Sequence, residues 1–203
     1  HVVKLPRGDD KAKRTALRRL IESRDVKNGI VFCNRKREVD VVAKSLSSHG
    51  FSAAPIHGDL PQSARTETLN RFRDGDLQLL VASDVAARGL DINELDLVIN
   101  FELSADPEVH VHRVGRTGRA GRAGTAASLV MRSEENRLAA INNYRHTSHE
   151  TLSPDILPAC GNVNPYPPMP TLTLGGGQRD KLRTGDPLGA LTASKNIAAI
   201  STA

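Results

Sequence analysis

The feature that most constrains the fold of this 203-residue chain is an alternation between short apolar runs and amphipathic helical patterns. The predicted strands lie at 30–33, 52–56, 77–82, 97–101 and 126–131. The predicted helices lie at 11–24, 35–48, 61–73 and 134–144. Because buried strands that alternate with helices form βαβ units, this order predicts an α/β fold with a mostly parallel sheet and helices on both faces.

Composition limits the classes of protein to which the chain can belong. Hydrophobic residues make up 38% and charged residues 25% of the sequence, which is typical of a folded globular protein. No apolar run approaches the ~18 residues that a membrane span needs. The cysteines Cys33 and Cys160 stand alone without a CxxC spacing. Lysine and arginine outnumber aspartate and glutamate by 28 to 23, which suits a polyanionic partner. We therefore expect a cytoplasmic protein without a membrane contact.

The sequence divides into two unlike parts. Residues 1–150 hold the alternating pattern, whereas residues 151–203 carry only a weak pattern and include three consecutive glycines at 175–177. We expect one domain in the first part. In the second part we expect a linker over 151–169 and an irregular tail over 170–203.

Two polar segments follow predicted strands and carry side chains that suit phosphate. Residues 83–91 read SDVAARGLD, and residues 112–119 read HRVGRTGR, with arginines three residues apart and glycine before two of them. The arginine fork matches phosphate oxygens, and glycine lets a ligand approach the backbone closely. A disordered Arg-Gly tract and a solvated basic face are the alternatives. Ligands bind at the carboxyl ends of strands in such sheets, which favours a phosphate site.

Four segments, in order, resemble motifs of the DEAD-box RNA helicases. They are IVFCN at 30–34, QSAR at 62–65, SDVAARGLD at 83–91 and HRVGRTGR at 112–119, which resemble motif IV, the QxxR motif, motif V and motif VI. Ser83 stands where the family more often has threonine, and it keeps the hydroxyl. His112 favours the DEAD-box group over DEAH-type and RecQ-type helicases. The resemblance covers residues 1–150 and implies the second, C-terminal RecA-like domain of a bacterial ATP-dependent RNA helicase.

The tail resembles a narrower group within that family. Residues 171–177 read TLTLGGG and residues 181–192 read KLRTGDPLGALT, which is similar to the start of the RNA-binding domain of DbpA-type helicases. That domain has an RRM-like fold, of which residues 170–203 would hold only an incomplete remnant. The resemblance implies a structured RNA partner, such as 23S rRNA, and a role in ribosome biogenesis.

The resemblance also assigns an ATP-binding group. Its members are Gly89, Asp91, Arg116 and Arg119. The two arginines would carry the catalytic role as arginine fingers, with Arg119 the better candidate for the γ-phosphate and Asp91 accepting a hydrogen bond from the ribose. Arg88 would couple the two RecA-like domains by pairing with a carboxylate of the first domain in the closed state. His112 would couple the nucleotide site to the RNA site through a hydrogen bond. Surface salt bridges, a turn cap at Asp91 and an ordinary core or surface position for His112 are the alternatives.

A second group would bind RNA. Its members, by the same resemblance, are Asn34, Arg35, Gly58, Arg65 and Ser83. These residues would contact the phosphate backbone and the 2′-hydroxyl groups and would not read base sequence. The alternative for Arg65 is an ion pair on its helix surface, for example with Glu67.

The sequence holds neither a GxxxxGK[ST] phosphate loop nor an Asp-Glu-Ala-Asp segment. In the DEAD-box family both belong to the first RecA-like domain, which also holds Mg²⁺. The resemblance therefore implies that this chain works with a first RecA-like domain of the same enzyme and hydrolyses no ATP alone. A non-catalytic RNA-binding protein and a DNA-directed superfamily 2 helicase domain stay open as alternatives.

Overall fold

The computed structural model describes residues 1–5, 9–24, 26–90, 92, 94–118, 123–147, 151–153 and 157. The strands are β1 (Val2–Leu5), β2 (Gly29–Cys33), β3 (Ala53–Ile56), β4 (Leu79–Ser83), β5 (Leu97–Asn100), β6 (Thr125–Met131) and β7 (Thr151–Leu152). The helices are α1 (Asp10–Glu22), α2 (Lys36–Ser47), α3 (Gln62–Arg73), α4 (Asp84–Ala87), α5 (Pro107–Val114) and α6 (Glu135–Arg145). A 3-10 turn at Arg132–Glu134 precedes α6.

The strands form one seven-stranded sheet in the order β3-β4-β2-β5-β6-β1-β7. Every neighbouring pair is parallel, so the predicted parallel α/β fold is confirmed. Strand β2 lies between β4 and β5, with Cys33 opposite Ser83 and Phe32 opposite Asn100. This register brings the segments that follow these three strands side by side at one edge of the sheet.

Alternate side chains of the buried strands face opposite layers of helices. On β2, Val31 and Cys33 pack in the core that includes the apolar faces of α1 and α2. Ile30 and Phe32 pack in a second core with Phe72 of α3 and Ala87 of α4. Because both faces of the sheet are covered, its central strands are continuously apolar, as the sequence predicted. Burial raises the pKa of the Cys33 thiol, which suits its predicted role as a small buried side chain.

Every predicted strand and helix is present, with ends that differ from the prediction by at most two residues. Four elements were not predicted. Strand β7 and helix α4 span only two and four residues, which is too short for a periodic pattern. Strand β1 is a four-residue run at the start of the sequence. Helix α5 has polar buried residues, His110 and Arg113, so it lacks the apolar stripe that marks an amphipathic helix.

Part of the predicted organisation lies outside the described residues. Strand β7 pairs with β1, so the sheet continues two residues past the predicted domain end at 150. Apart from 151–153 and 157, the predicted linker at 151–169 and the tail at 170–203 are not described, and these boundaries stay predictions. Among the described helices, none combines the length and the apolar character that a membrane crossing requires.

Candidate functional site

The carboxyl ends of β3, β4, β2 and β5 meet at one edge of the sheet, and most of the predicted site residues lie there. Asn34 and Arg35 follow β2, Ser83 ends β4, and Gly58 lies shortly after β3. Arg65 belongs to the first turns of α3, which follows β3 along the chain. The parallel topology therefore brings together residues that are far apart in sequence, as the strand-end rule predicts.

A buried arginine, Arg113, stands at the centre of this edge. Its side chain is 2% exposed and lies on α5, inside the HRVGRTGR segment. The guanidinium forms a bidentate pair with Asp84, with Nε to Oδ1 at 2.6 Å and Nη2 to Oδ2 at 2.7 Å. Its carbon Cζ lies 5.2 Å from the centre of the Phe32 ring. We call Arg113, Asp84 and Phe32, together with the acceptors named next, the Arg113 centre.

The remaining donors of Arg113 reach the ends of two further strands. Nη2 donates to Asn34 Oδ1 at 2.8 Å, and Nη1 donates to the backbone carbonyl of Glu102 at 2.7 Å and to Asn100 Oδ1 at 3.3 Å. With the two bonds to Asp84, all five N–H donors of the guanidinium have an acceptor. Sequence reasoning included Arg113 and Asp84 in the two phosphate-suited segments but assigned no individual role to Arg113, Asp84 or Asn100. The sequence signal that could have identified Arg113 was its position directly after His112 in the HRVGRTGR segment.

Several residues that the sequence predicted to bind ATP or to couple the domains lie next to the Arg113 centre. Arg116 is half-buried, and its Nη1 donates to the carbonyls of Leu90 at 3.2 Å and Ile92 at 3.3 Å. Its described partners are therefore carbonyl groups, in contrast to the carboxylate of the salt-bridge alternative. Arg116 lines a small cavity of about 30 Å³ together with the exposed side chains of Arg88 and His112. Gly89 has a φ of +80°, a backbone conformation that favours glycine.

Two predicted ATP-side residues, Asp91 and Arg119, lie outside the described residues. Their roles as a ribose acceptor and as an arginine finger stay predictions. The described part of the same two segments ends at Leu90 and Gly118.

The residues that the sequence predicted to bind RNA are partly exposed. Asn34 and Arg35 are exposed, and Gly58 has open space where a Cβ would lie. Ser83 is buried, and its Oγ has no hydrogen-bond partner within the described part of the chain. Arg65 donates from Nη1 to Gln62 Oε1 at 3.1 Å, so its described contact is with Gln62 and not with Glu67.

The helices that begin at this edge differ in how their first turns are capped. Helix α1 is capped by Asp9, whose carboxylate accepts the Lys11 N–H at 2.7 Å. Helix α5 is capped by Asp106, whose carboxylate accepts the Glu108 N–H at 2.9 Å. The described starts of α2 and α3 have no side-chain cap. Their first N–H groups are therefore open to an external acceptor such as a phosphate.

A cleft of about 360 Å³ opens on the α1 and α2 side of the same edge. Its lining includes Lys13, Arg35, Glu38, Glu102 and Glu134. Burial and the neighbouring carboxylates of Glu102 and Asp10 raise the pKa of Glu38. Beneath the cleft, Lys13 Nζ donates to Glu134 Oε2 at 2.6 Å in a buried ion pair that sequence reasoning did not find.

Comparison with known proteins assigns the chain to a family. The family described as "Helicase conserved C-terminal domain" matches residues 12–121. The chain is 45% identical over 182 residues to the ATP-dependent RNA helicase DbpA of Escherichia coli (strain K12), a match that covers 90% of this chain and 39% of DbpA. The chain thus spans about two fifths of the length of that relative.

Solved structures give the same assignment. The C-terminal domain of the DEAD-box protein Dbp5 superposes with a TM-score of 0.69 at 30% identity, which covers 76% of this chain and 90% of that domain. Dbp5 of S. cerevisiae bound to RNA and ADP BeF3 also gives a TM-score of 0.69, at 31% identity, covering 76% of this chain and 41% of Dbp5. Together with the arrangement of residues at the sheet edge, these matches show that the chain belongs to the helicase conserved C-terminal domain family and is the C-terminal RecA-like domain of a DEAD-box protein.

Proposed function

We propose that this chain works as the second RecA-like domain of an ATP-dependent RNA helicase. In this proposal the chain closes on a first RecA-like domain, and ATP and RNA bind in the cleft between the two. The relatives support the proposal, because DbpA carries the name of an ATP-dependent RNA helicase and Dbp5 has been solved with RNA and ADP BeF3. Mg²⁺ would be held by the first RecA-like domain.

The contrast among the helix starts is the observation that carries the RNA part of the proposal. The uncapped starts of α2 and α3 follow β2 and β3, the two strands that flank β4. Ser83 ends β4, is 6% exposed as a residue, and has a buried Oγ without a partner within the described residues. Free N–H groups at a helix start and a free hydroxyl are donors for a phosphate. The carboxylate caps of α1 and α5 would repel one. RNA phosphates would therefore bind along Asn34, Arg35, Gly58, Arg65 and Ser83.

The ATP part rests on the residues around Arg116. Arg88, Arg116 and His112 line one cavity, and Gly89 stands two residues before Asp91 in the sequence. The carboxylate that lines the same cavity, that of Asp84, is already paired with Arg113. The remaining basic side chains suit the triphosphate, since guanidinium groups match phosphate oxygens and stabilise charge that develops during transfer. Arg119 would reach the γ-phosphate when the domains close, Arg116 would support it, and Asp91 would hold the ribose.

The length of the DbpA match supports a closer relation to that subgroup. It spans 182 residues of the 203, so it extends beyond residue 150 into the tail. The matches to DeaD of Mycobacterium tuberculosis and CshA of Geobacillus kaustophilus span 152 and 148 residues. We infer that residues 170–203 are the start of a DbpA-type RNA-binding domain. A cytoplasmic role in ribosome assembly, with 23S rRNA as the RNA, follows from this relation.

The test uses the two-domain enzyme, in which this chain follows a first RecA-like domain. Replacing Arg119→Ala should lower RNA-stimulated ATP turnover by about 10³-fold or more, because an arginine finger contributes at least that much in other phosphoryl-transfer enzymes. RNA affinity without nucleotide should stay unchanged in this variant. The chain alone should hydrolyse no ATP, with or without RNA.

Arg65→Ala provides the complementary arm. It should weaken RNA binding and reduce the slope of log affinity against log salt by about 0.7, the share of one phosphate on a single strand. Turnover at saturating RNA should recover. Arg71→Ala is the matched control, since Arg71 is exposed near the other end of the same helix. A deoxyribose strand that replaces RNA without loss, or an enzyme without ATP turnover, would favour the DNA-directed or the non-catalytic alternative.

A further inference from the structure

We propose that Arg113 is a positioning residue that ties the RNA-side loop after β2 to the ATP-side helix α5, and so couples the two ligands. The proposal rests on the proposed function, because it concerns how that function's two sites are linked. It assigns Arg113 a role different from that of Arg116 and Arg119, for which the proposed function expects contacts with ATP.

The geometry excludes Arg113 as a ligand of ATP or RNA in this conformation. Its side chain is 2% exposed, and each of its five N–H donors already has a protein acceptor. Contact with a phosphate would require the guanidinium to leave Asp84. Asp84 would then keep a negative charge without its partner, and breaking a buried ion pair in this way is strongly destabilising.

Two of the four acceptor residues of Arg113 belong to the proposed RNA site or stand beside it in the chain. Asn34, which accepts from Nη2 at 2.8 Å, precedes Arg35 on the RNA side. Asp84, which accepts two bonds, follows Ser83. On the helix that carries Arg113, His112 is the preceding residue and Arg116 lies three residues further on. One guanidinium therefore joins segments that belong to both proposed ligand sites.

The number and direction of these bonds require arginine. A planar guanidinium points five donors in fixed directions, whereas the ammonium of lysine has three donors at one point. A lysine at position 113 could keep the ion pair with Asp84, but it could not also reach Asn34 and the strand-end acceptors on the far side. Arg113→Lys therefore keeps the positive charge but loses the hydrogen bonds that join α5 to Asn34 and to the strand-end acceptors.

The experiment measures the coupling between the ligands in the two-domain enzyme. The dissociation constant of a fluorescein-labelled single-stranded oligouridylate is measured without nucleotide and with saturating adenylyl imidodiphosphate, and the ratio of the two is the coupling. Arg113→Lys should reduce this ratio at least about fivefold, the lower end of typical coupling between sites. Arg71→Lys, an exposed control, should keep the wild-type ratio. A purely structural role would lower the active fraction and leave the ratio unchanged.

A second variant keeps the test decisive if Arg113→Lys does not fold. The double variant Arg113→Met with Asp84→Asn removes both charges, so no buried charge is left unpaired. It should fold and should show the same reduced ratio. A folded variant of either kind with the wild-type ratio would overturn the proposal. If the wild-type enzyme itself showed no effect of nucleotide on RNA affinity, the proposed function would fail with it.

Discussion

Two buried cations lie at the carboxyl edge of the sheet, one on each face, and they resemble each other in three ways. Arg113 and Lys13 are 2% and 1% exposed, and each is paired with a carboxylate at 2.6 Å. Each also lies 5.2 Å from the centre of a phenylalanine ring, Phe32 for Arg113 and Phe101 for Lys13. The two cations nevertheless have different surroundings, and the difference indicates what each is for.

We call Lys13, Glu134 and Phe101 the Lys13 centre. In this centre the carboxylate of Glu134 accepts hydrogen bonds from backbone groups. It accepts the N–H groups of Leu103 at 2.9 Å and Met131 at 3.1 Å, besides the ammonium of Lys13. Lys13 therefore balances a charge that satisfies the backbone where β5 and β6 end. At the Arg113 centre the cation itself donates hydrogen bonds to several partners, and these include the side chains of Asn34 and Asp84 at the carboxyl edge of the sheet. The point charge of a lysine is enough to balance the Glu134 carboxylate. Donating hydrogen bonds to several acceptors in fixed directions requires the planar guanidinium of an arginine.

The largest expected effect on stability comes from removing the cation of the Lys13 centre. Lys13→Met leaves the Glu134 carboxylate buried without a counter-charge, so the free energy of unfolding should fall by about 3–5 kcal/mol. Urea denaturation of the chain measures the change. Lys11→Met, an exposed lysine on the same helix, should have little effect. A loss for Lys13→Met that matched the control would show that the ion pair does not stabilise this end of the sheet.

Exchanging lysine for arginine at the same centre sharpens the comparison. Lys13→Arg keeps the charge but places a larger head group in a closed site, so the free energy of unfolding should fall by about 1–3 kcal/mol. The coupling ratio between RNA and nucleotide should stay at the wild-type value. If Lys13→Arg changed the ratio as Arg113→Lys does, the two centres would not divide scaffold and function between them.

The helix caps offer a matched pair of smaller changes. Asp9→Ala removes the cap of the helix that carries Lys13, and Asp106→Ala removes the cap of the helix that carries Arg113. Each should cost about 1 kcal/mol of stability, the usual contribution of a cap. Neither should alter the coupling ratio, because we expect the buried cation to fix the position of each helix. A changed ratio in Asp106→Ala alone would show that the cap, and not Arg113, holds α5 in place.

The smallest effect concerns Glu38, which lines the cleft that also includes Lys13 and Glu102. Burial, then Glu102 and Asp10, raise the pKa of Glu38 above its ordinary value of 4.5. The folded chain therefore holds this proton more tightly than the unfolded chain, and stability falls as the pH rises above 4.5 through the raised pKa.

Glu38→Gln should remove that penalty. The free energy of unfolding at pH 7 should rise by less than about 1 kcal/mol, since the group is partly exposed. The gain should disappear as the pH falls below 4.5, which a series of urea titrations would detect. Glu67→Gln, on an exposed part of α3, is the control. A gain that persisted at low pH would mean that the charge of Glu38 is not its cause.

Most of the fold followed from patterns that are local in sequence. Continuous apolar runs and helical spacing depend on residues a few positions apart, so they predicted five strands and four helices correctly. Helix α5 was not predicted, because its buried positions include Arg113 and His110. Hydrophobic periodicity does not detect buried residues that are polar. The strand-end rule also predicted that Asn34, Ser83 and Gly58 follow strands at one edge of the sheet, because it needs only strand direction. That this edge binds a ligand stays a prediction.

The sequence by itself thus determined the order of elements, the parallel sheet and the edge at which its polar segments meet. Only the tertiary structure decided which cation is buried and what it holds. Asn34 and Arg113 are 79 residues apart, and Lys13 and Glu134 are 121 residues apart. A buried charge is tolerated only where a counter-charge and enough hydrogen-bond partners converge on it. That convergence is a property of the packed sheet and its helices, and no local pattern contains it.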